Sequence, residues 1–125
     1  MSVKLTDSEG KSLKVNAWNW GVLHYTLVCC KPKLLEDEQL LEQLRFGGVE
    51  LGNVEVKEIR SYLREVVLPL LKPGERMLYD FTVTDEPDDG TFYREELEKN
   101  YSLRYDVLVA VIDFLDEAKA PVHVS

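Results

Sequence analysis

The side chains in this sequence with the clearest capacity for chemistry are the carboxylates of residues 85–89. Four of these five positions carry an acid: Asp85, Glu86, Asp88 and Asp89. Like charges at such short spacing repel one another, so the run is costly unless cations or solvent compensate it. Three roles fit such a run: binding a metal ion, docking on a basic partner, or forming a solvated turn.

A calcium-binding loop can be aligned to this run through Gly90. With Gly90 at the sixth position of that motif, the first, fifth and twelfth positions, which supply oxygen ligands, fall on Asp85, Asp89 and Glu96. Pro87 stands at the third position and supplies no side-chain oxygen, and the residues before the loop have the pattern of a strand rather than of a helix. A solvated turn is therefore favoured, metal binding is the alternative, and no cofactor is expected.

The distribution of charge favours an interaction role. The chain has 125 residues, of which 15 are basic and 23 acidic, and a formal charge of −8. Residues 80–117 contain 12 acids and 3 bases, whereas residues 1–79 contain 11 of each. Such a surface repels nucleic acid and attracts a basic protein. We expect residues 85–98, hereafter the acidic segment, to dock on that partner through the four carboxylates and Tyr93.

In size and acidity the chain resembles the small immunity and antitoxin proteins that neutralise cationic toxins. The resemblance implies a non-enzymatic protein-interaction module, and because it rests on composition, it carries over no residue role. An enzyme, such as a hydrolase, is the weaker alternative, with Asp80, Asp85 or His24 as acid or base. The sequence contains no G-x-S-x-G nucleophile motif, phosphate loop or dinucleotide fingerprint.

Trp18, Trp20 and His24 form a second candidate site, because two indoles near an imidazole can stack on a ligand ring. Residues two apart on a helix point about 200° apart, so the two indoles cannot share one face. We expect one tryptophan in the core and the other at its rim, with Gly21 allowing a close approach. Structural anchoring of the helix is favoured over ligand binding.

Three cations on one predicted helix have no acid four residues away to pair with: Lys57, Arg60 and Arg64. Opposite charges in a small domain tend to be neighbours. Pairing of these cations with residues 85–89 is therefore favoured over a role in binding an anion.

The cysteines and the hydropathy pattern predict a cytoplasmic protein. Cys29 and Cys30 are the only cysteines, and a disulfide between neighbours would be strained, so both are expected as thiols. No apolar run approaches the ~20 residues of a membrane-spanning helix. The first residues also lack the pattern of a secretory signal.

Periodicity predicts an α+β fold in one domain over residues 1–125, with an N-terminal hairpin and a small sheet packed by about four helices. Alternating residues on both sides of a turn predict the hairpin over 3–6 and 12–16. Helical spacing predicts helices over 17–30, 34–45, 53–67 and 101–119. Strands are expected over 77–84 and 121–124.

For two of the predicted helices, the sequence also predicts the N-cap and the apolar face. The first is expected to be capped by Asn16, and its apolar stripe is Trp18, Val22, Tyr25 and Cys29. The third is expected to be capped by Asn53 and to kink or end near Val67, because Pro69 cannot continue it. Its apolar stripe is Val56, Ile59, Leu63, Val66 and Leu70.

Overall fold

Four helices and two antiparallel sheets make up the part of the chain that the structure describes. This computed structural model describes residues 2–30, 38–86, 94–95 and 100–125. The helices are α1 (Ala17–Cys30), α2 (Glu38–Phe46), α3 (Asn53–Tyr62) and α4 (Tyr105–Glu117). The strands are β1 (Ser2–Thr6), β2 (Ser12–Asn16), β3 (Val49–Leu51), β4 (Arg76–Leu78), β5 (Val83–Thr84), β6 (Ser102–Arg104) and β7 (Val122–Val124). The predicted α+β class is confirmed, although the strands divide between two sheets.

The N-terminal hairpin belongs to the larger sheet, whose strand order is β2-β1-β7-β3. Strand β7 lies between β1 and β3, and Val124 is paired with Leu5 on one side and with Val49 on the other. Because side chains alternate along a strand, one face of the sheet buries Val3, Leu5, Val15, Leu51, Val122 and Val124. The predicted hairpin and last strand are confirmed.

The smaller sheet has the strand order β5-β4-β6. One prediction about its strands was wrong. Residues 77–84 were expected as a single strand, but they form a hairpin in which a turn over 79–82 joins β4 to β5. The N–H of Leu78 donates to the carbonyl of Thr82 at 2.8 Å, and the N–H of Phe81 donates to the carbonyl of Leu78 at 2.9 Å. No glycine, proline or asparagine marks this turn, so its residues look like those of a continuous strand.

Helix α1 is covered on most of its sides. Asn16 caps it as predicted, because its Oδ1 accepts a hydrogen bond from the N–H three residues later at 2.9 Å. Trp18 and Cys29 are exposed and Tyr25 is half-buried, so the predicted stripe is wrong except at Val22. The buried apolar residues are Trp20, Val22, Leu23 and Leu27. Both sheets and α2 contact this helix, and a single stripe cannot serve three neighbours.

Helix α3 continues into a π-helical turn over Leu63–Val67 and a 3-10 turn over Leu68–Leu70. The buried positions are Val56, Ile59, Leu63, Val67 and Leu71. The prediction had Val66 and Leu70 in place of the last two, and both are exposed. A π turn contains more residues than an α turn, so the buried positions move one residue along the chain. Regular α geometry already ends at Tyr62, and it is the π turn that ends at Val67, where the helix was predicted to kink or end.

The starts of two helices differ from the predicted ones, and the start of a third cannot be compared. The N-cap of α3 is Gly52, which offers no side chain to cap the helix, and Asn53 is already its first residue. Helix α4 begins at Tyr105 rather than at 101, because residues 102–104 pair with β4. Residues 34–37, where α2 was expected to begin, lie outside the described residues, and Gly47 follows its end with a φ of +91°.

One hydrophobic cluster contains side chains from both sheets and from all four helices. Its fully buried members include Leu5 of the larger sheet, Met77 of the smaller sheet and Leu23 of α1, which contacts both. Among the described residues, none of the helices is long and apolar enough to cross a bilayer.

Asp7 closes the turn of the N-terminal hairpin and is buried. Its Oδ1 accepts hydrogen bonds from the N–H groups of Glu9 and Lys11 at 3.0 and 2.8 Å, and its Oδ2 accepts one from the N–H of Lys119 at 3.2 Å. Burial by itself would raise the pKa of Asp7, but these donors and the charge of Lys11 outweigh it and hold the pKa below its ordinary value.

Asp7→Asn is expected to destabilise the protein and to flatten its response to acid. A carboxyl group whose pKa is lower in the folded state contributes stability that is complete above about pH 4 and is lost as the pH falls through the folded-state pKa. The amide has no such charge and turns an NH2 group towards a backbone donor. Urea unfolding between about pH 7 and about pH 3 measures the difference. Asp113→Asn on the exposed face of α4 controls for the lost charge, and an unchanged acid dependence in Asp7→Asn would contradict the prediction.

Candidate interaction surface

The two tryptophans of α1 differ in burial, as predicted. Trp20 is buried, and its indole N–H donates to the carbonyl of Leu44 on α2 at 3.0 Å. Trp18 is 40% exposed and packs edge-to-face against Tyr101, with ring centroids 4.9 Å apart and planes at 79°. One indole therefore anchors α1 to α2, and the other belongs to a cluster of surface rings.

The ring of Tyr101 lies directly over Gly21. A Cβ atom at this glycine would stand 2.7 Å from Cδ1 and 2.8 Å from Cε1 of Tyr101, closer than carbon atoms pack. On its other side Tyr101 meets Tyr79 edge-to-face, with centroids 5.2 Å apart. The predicted close approach at Gly21 is confirmed, and it allows one ring to bridge Trp18 and Tyr79.

A stack of three rings extends this cluster. Tyr79 and Phe81 both stack on Tyr25 of α1, with centroid distances of 4.9 and 5.3 Å and interplanar angles of 26° and 14°. A hydrogen bond with the thiol of Cys29 raises the pKa of Tyr25 above its ordinary value. We use the name aromatic surface for the following six residues: Trp18, Tyr25, Phe46, Tyr79, Phe81 and Tyr101.

Phe81 is held in an unusual backbone conformation at the turn between β4 and β5. Its φ is +69°, a region that bulky residues rarely occupy, and its side chain is 40% exposed. Beside it, hydrogen bonds from the hydroxyl and the N–H of Thr82 hold the pKa of Asp80 below its ordinary value. Backbone strain of this kind persists only where the surroundings impose it, and it is concentrated at binding sites.

A pocket of about 270 Å³ opens at the other end of the aromatic surface. Its lining residues include Trp18, Phe46 and Tyr101, which have aromatic rings, and Arg45, which has a guanidinium group. This guanidinium stands 5.5 Å from the centroid of the Phe46 ring, and its Nη1 donates to the hydroxyl of Tyr79 at 3.3 Å. The pocket therefore combines apolar walls with a cation.

In the chain, the acidic segment lies between β5 and β6. Asp85 and Glu86 are exposed, and the carbonyl of Glu86 accepts a hydrogen bond from Nε of Arg76 at 2.9 Å. The other residues predicted to bind a partner or a metal lie outside the described residues: Asp88, Asp89, Tyr93 and Glu96. Over the described ranges, no three His, Cys, Asp or Glu side chains group as the ligands of one metal ion would.

The second predicted site, formed by Trp18, Trp20 and His24, does not present one open face. Trp20 and His24 are both buried, at 4% and 6% exposure, and Trp18 is the exposed member of the three. Of the three residues predicted to act as an acid or base, His24 is therefore enclosed, whereas Asp80 and Asp85 are exposed on the smaller sheet. Trp18 joins the aromatic surface instead of acting with His24.

Arg60 and Arg64 pair with an acid on α4. Oδ1 of Asp116 lies 2.9 Å from Nη1 of Arg60 and 3.6 Å from Nη2 of Arg64. Within the described residues, the carboxylate that pairs with Arg60 and Arg64 comes from a neighbouring helix rather than from Asp85 or Glu86. The predicted pairing stays untested for Asp88 and Asp89, which lie outside the described residues. Exposed ion pairs contribute about 0.2–1 kcal/mol each, so these pairs add only modestly to the stability of the contact with α4.

Comparison with known proteins identifies no family for this chain. No family model matches it, and neither the curated proteins nor the solved structures gave a match. The inference of function therefore rests on the aromatic surface, its pocket and the acidic segment.

Four members of the aromatic surface were not singled out from the sequence: Phe46, Tyr79, Phe81 and Tyr101. They come from three places in the chain, the end of α2, the turn between β4 and β5 and the residue before β6, so no one spacing connects all four. A weak signal was present in their neighbours. Phe46 stands immediately before two glycines, and Tyr79 and Phe81 flank an aspartate, so these rings lie where an element ends rather than in its interior.

Proposed function

We propose that this protein is a non-enzymatic interaction module that binds a basic protein in the cytoplasm. Binding would use the acidic segment together with the part of the aromatic surface around Phe81. The observation that carries the proposal is the turn between β4 and β5, where Phe81 is exposed in a left-handed conformation beside the ionised Asp80. A lysine or arginine of the partner would meet a ring face and a carboxylate together.

The rings around Phe81 suit a cation. A cation over an aromatic face gains about 0.5–2 kcal/mol, and more when water is excluded. Tyr25 supports both Tyr79 and Phe81 by stacking, so these side chains are ordered before a partner arrives. Little conformational entropy would then be lost on binding, which favours affinity.

The charges around this turn suit the same partner. Asp85 and Glu86 are exposed directly after β5, and they begin the acidic segment. A concentrated negative potential raises the association rate with a basic protein and disfavours nucleic acid. The exposed thiol of Cys29 is free of any disulfide, which agrees with a reducing compartment such as the cytoplasm.

The electrostatic part of the proposal can be tested by exchanging carboxylates for amides. The test variant combines Asp85→Asn, Glu86→Gln, Asp88→Asn and Asp89→Asn. The control makes the same change of charge at exposed acids elsewhere: Glu9→Gln, Glu42→Gln, Glu65→Gln and Glu117→Gln. Each protein is used to capture partners from lysate of its native cell, and association with the captured protein is then timed from about 0.05 to about 0.3 M salt.

We expect the wild type and the control to retain a basic protein that the test variant loses. The association rate of that complex should fall by about tenfold or more over the salt range. Equal retention by both variants, or a rate that does not respond to salt, would overturn the proposal.

Phe81→Gly tests the aromatic part. Glycine relieves a strain of about 1–3 kcal/mol, and the lost stacking costs about 0.5–1.5 kcal/mol, so the free energy of unfolding should change little. Affinity for the captured basic protein should nevertheless fall by about tenfold, since a cation–π contact of that size is lost. Phe46→Ala removes an exposed ring at the far end of the aromatic surface and serves as the control. A Phe81→Gly protein that binds the partner like the wild type would contradict the role of this turn.

A further inference from the structure

The pocket beside Trp18 has the size and the lining of a site for one aromatic ring. Its volume of about 270 Å³ lies just below the range of ordinary small-molecule sites, so it suits a single ring better than a nucleotide or an extended peptide. Trp18 and Tyr101 lie edge-to-face in its wall, and Phe46 contributes a third ring. A flat apolar group entering this space would contact aromatic carbon on several sides.

Arg45 gives the pocket its polarity. The side chain is half-buried, its Nη1 donates to the hydroxyl of Tyr79, and its guanidinium stands over the ring of Phe46. Within the described residues, no carboxylate forms an ion pair with Arg45. A guanidinium group has five N–H donors, so most of them remain for a ligand.

We propose that this pocket binds a small planar aromatic carboxylate. The ring would lie among Trp18, Phe46 and Tyr101, and the carboxylate would accept hydrogen bonds from Arg45, which can bind such a group through two parallel bonds. A cationic ligand would be repelled by Arg45, and a polyanion would be repelled by the net charge of −8. The site goes beyond the proposed function, because it uses Arg45 and Phe46 rather than the acidic segment and Phe81.

Titration of the nitrogen-15-labelled full chain with benzoate tests this site by NMR. The signals to follow are the indole N–H of Trp18 and the Nε–H of Arg45. Benzoate is a small probe, so we expect saturable shifts with a Kd on the order of 1 mM. Benzamide has the same shape without the charge and should bind at least about tenfold more weakly, since the charge-assisted hydrogen bonds are lost.

Two substitutions separate the ring from the charge. Arg45→Gln should reduce benzoate affinity about tenfold, to the level of benzamide, and leave benzamide binding unchanged. Arg64→Gln removes a cation that pairs with Asp116 and should change neither. Phe46→Ala should weaken both probes, because it removes a wall that they share.

Equal affinities for the two probes, an Arg45→Gln protein that binds benzoate normally, or no saturable shift up to about 50 mM benzoate would each overturn the proposal. If Arg45→Gln does not give a folded spectrum, Arg45→Met keeps the apolar stem of the side chain and carries the same expectation. Phe81→Gly should leave benzoate binding unchanged, so failure of this site and failure of the proposed partner surface can be told apart.

Discussion

Gly47→Ala is expected to lower the free energy of unfolding by about 2–4 kcal/mol, of which about 1–2 kcal/mol comes from the left-handed conformation and the rest from a steric clash. Gly47 follows α2 with a φ of +91°, and a Cβ there would stand 2.6 Å from the carbonyl carbon of Ser125 and 2.9 Å from its Cα. The backbone of Ser125 cannot easily move away. Its N–H donates to the carbonyl of Lys4 and its carbonyl accepts from the N–H of Lys4, both at 2.9 Å.

Gly48 provides a matched control for this prediction. Its φ of +87° is almost the same, but a Cβ at Gly48 would meet nothing within 4 Å. Gly48→Ala should therefore cost only the conformational part, about 1–2 kcal/mol. Urea unfolding of the two variants measures the difference. If both substitutions lower the free energy of unfolding equally, the packing of Gly47 against Ser125 does not explain why a glycine is needed there.

Gly21→Ala is expected to destabilise the protein although alanine is the better helix former. The clash with Tyr101 should cost about 1–3 kcal/mol, against a gain of about 1 kcal/mol in helix propensity. The ring must shift to admit the methyl group, and it cannot do so without disturbing its contacts with Trp18 and Tyr79. We therefore also expect the fluorescence of Trp18 to change.

A double-mutant cycle with Tyr101→Ala isolates this contact. Once the ring is removed, Gly21→Ala should stabilise the protein by up to about 1 kcal/mol, because only the helix propensity remains. The sign of the effect thus reverses between the two backgrounds, with a coupling free energy equal to the clash, about 1–3 kcal/mol. A Gly21→Ala effect that is the same with and without the Tyr101 ring would refute the close approach on which the aromatic surface depends.

Elements with one covered face were predictable from their pattern. In the hairpin of β1 and β2, buried and exposed residues alternate. Such alternation indicates a strand with one face in the core, and it could be identified from the sequence alone. The side-chain cap at Asn16 was equally local, because it depends on residues only three positions apart.

Elements with several neighbours were not predictable from a single stripe. Helix α1 contacts both sheets and α2, so its buried residues include positions that no single face would hold. After α3 the π-helical turn moves the buried residues from Val66 and Leu70 to Val67 and Leu71. Both outcomes depend on which elements pack against the helix, and that is a property of distant parts of the chain.

For the aromatic surface and the acidic segment, the sequence by itself determined composition and local conformation. It placed the negative charge in residues 80–117 and indicated that Gly21 allows a close approach, because both follow from which residues are adjacent. Only the tertiary structure decided that Trp18, Tyr79 and Tyr101 meet and that Arg45 lies in a pocket with Phe46. Apart from the neighbours Arg45 and Phe46, these residues are far apart in the chain, and they meet because the core packs distant elements together.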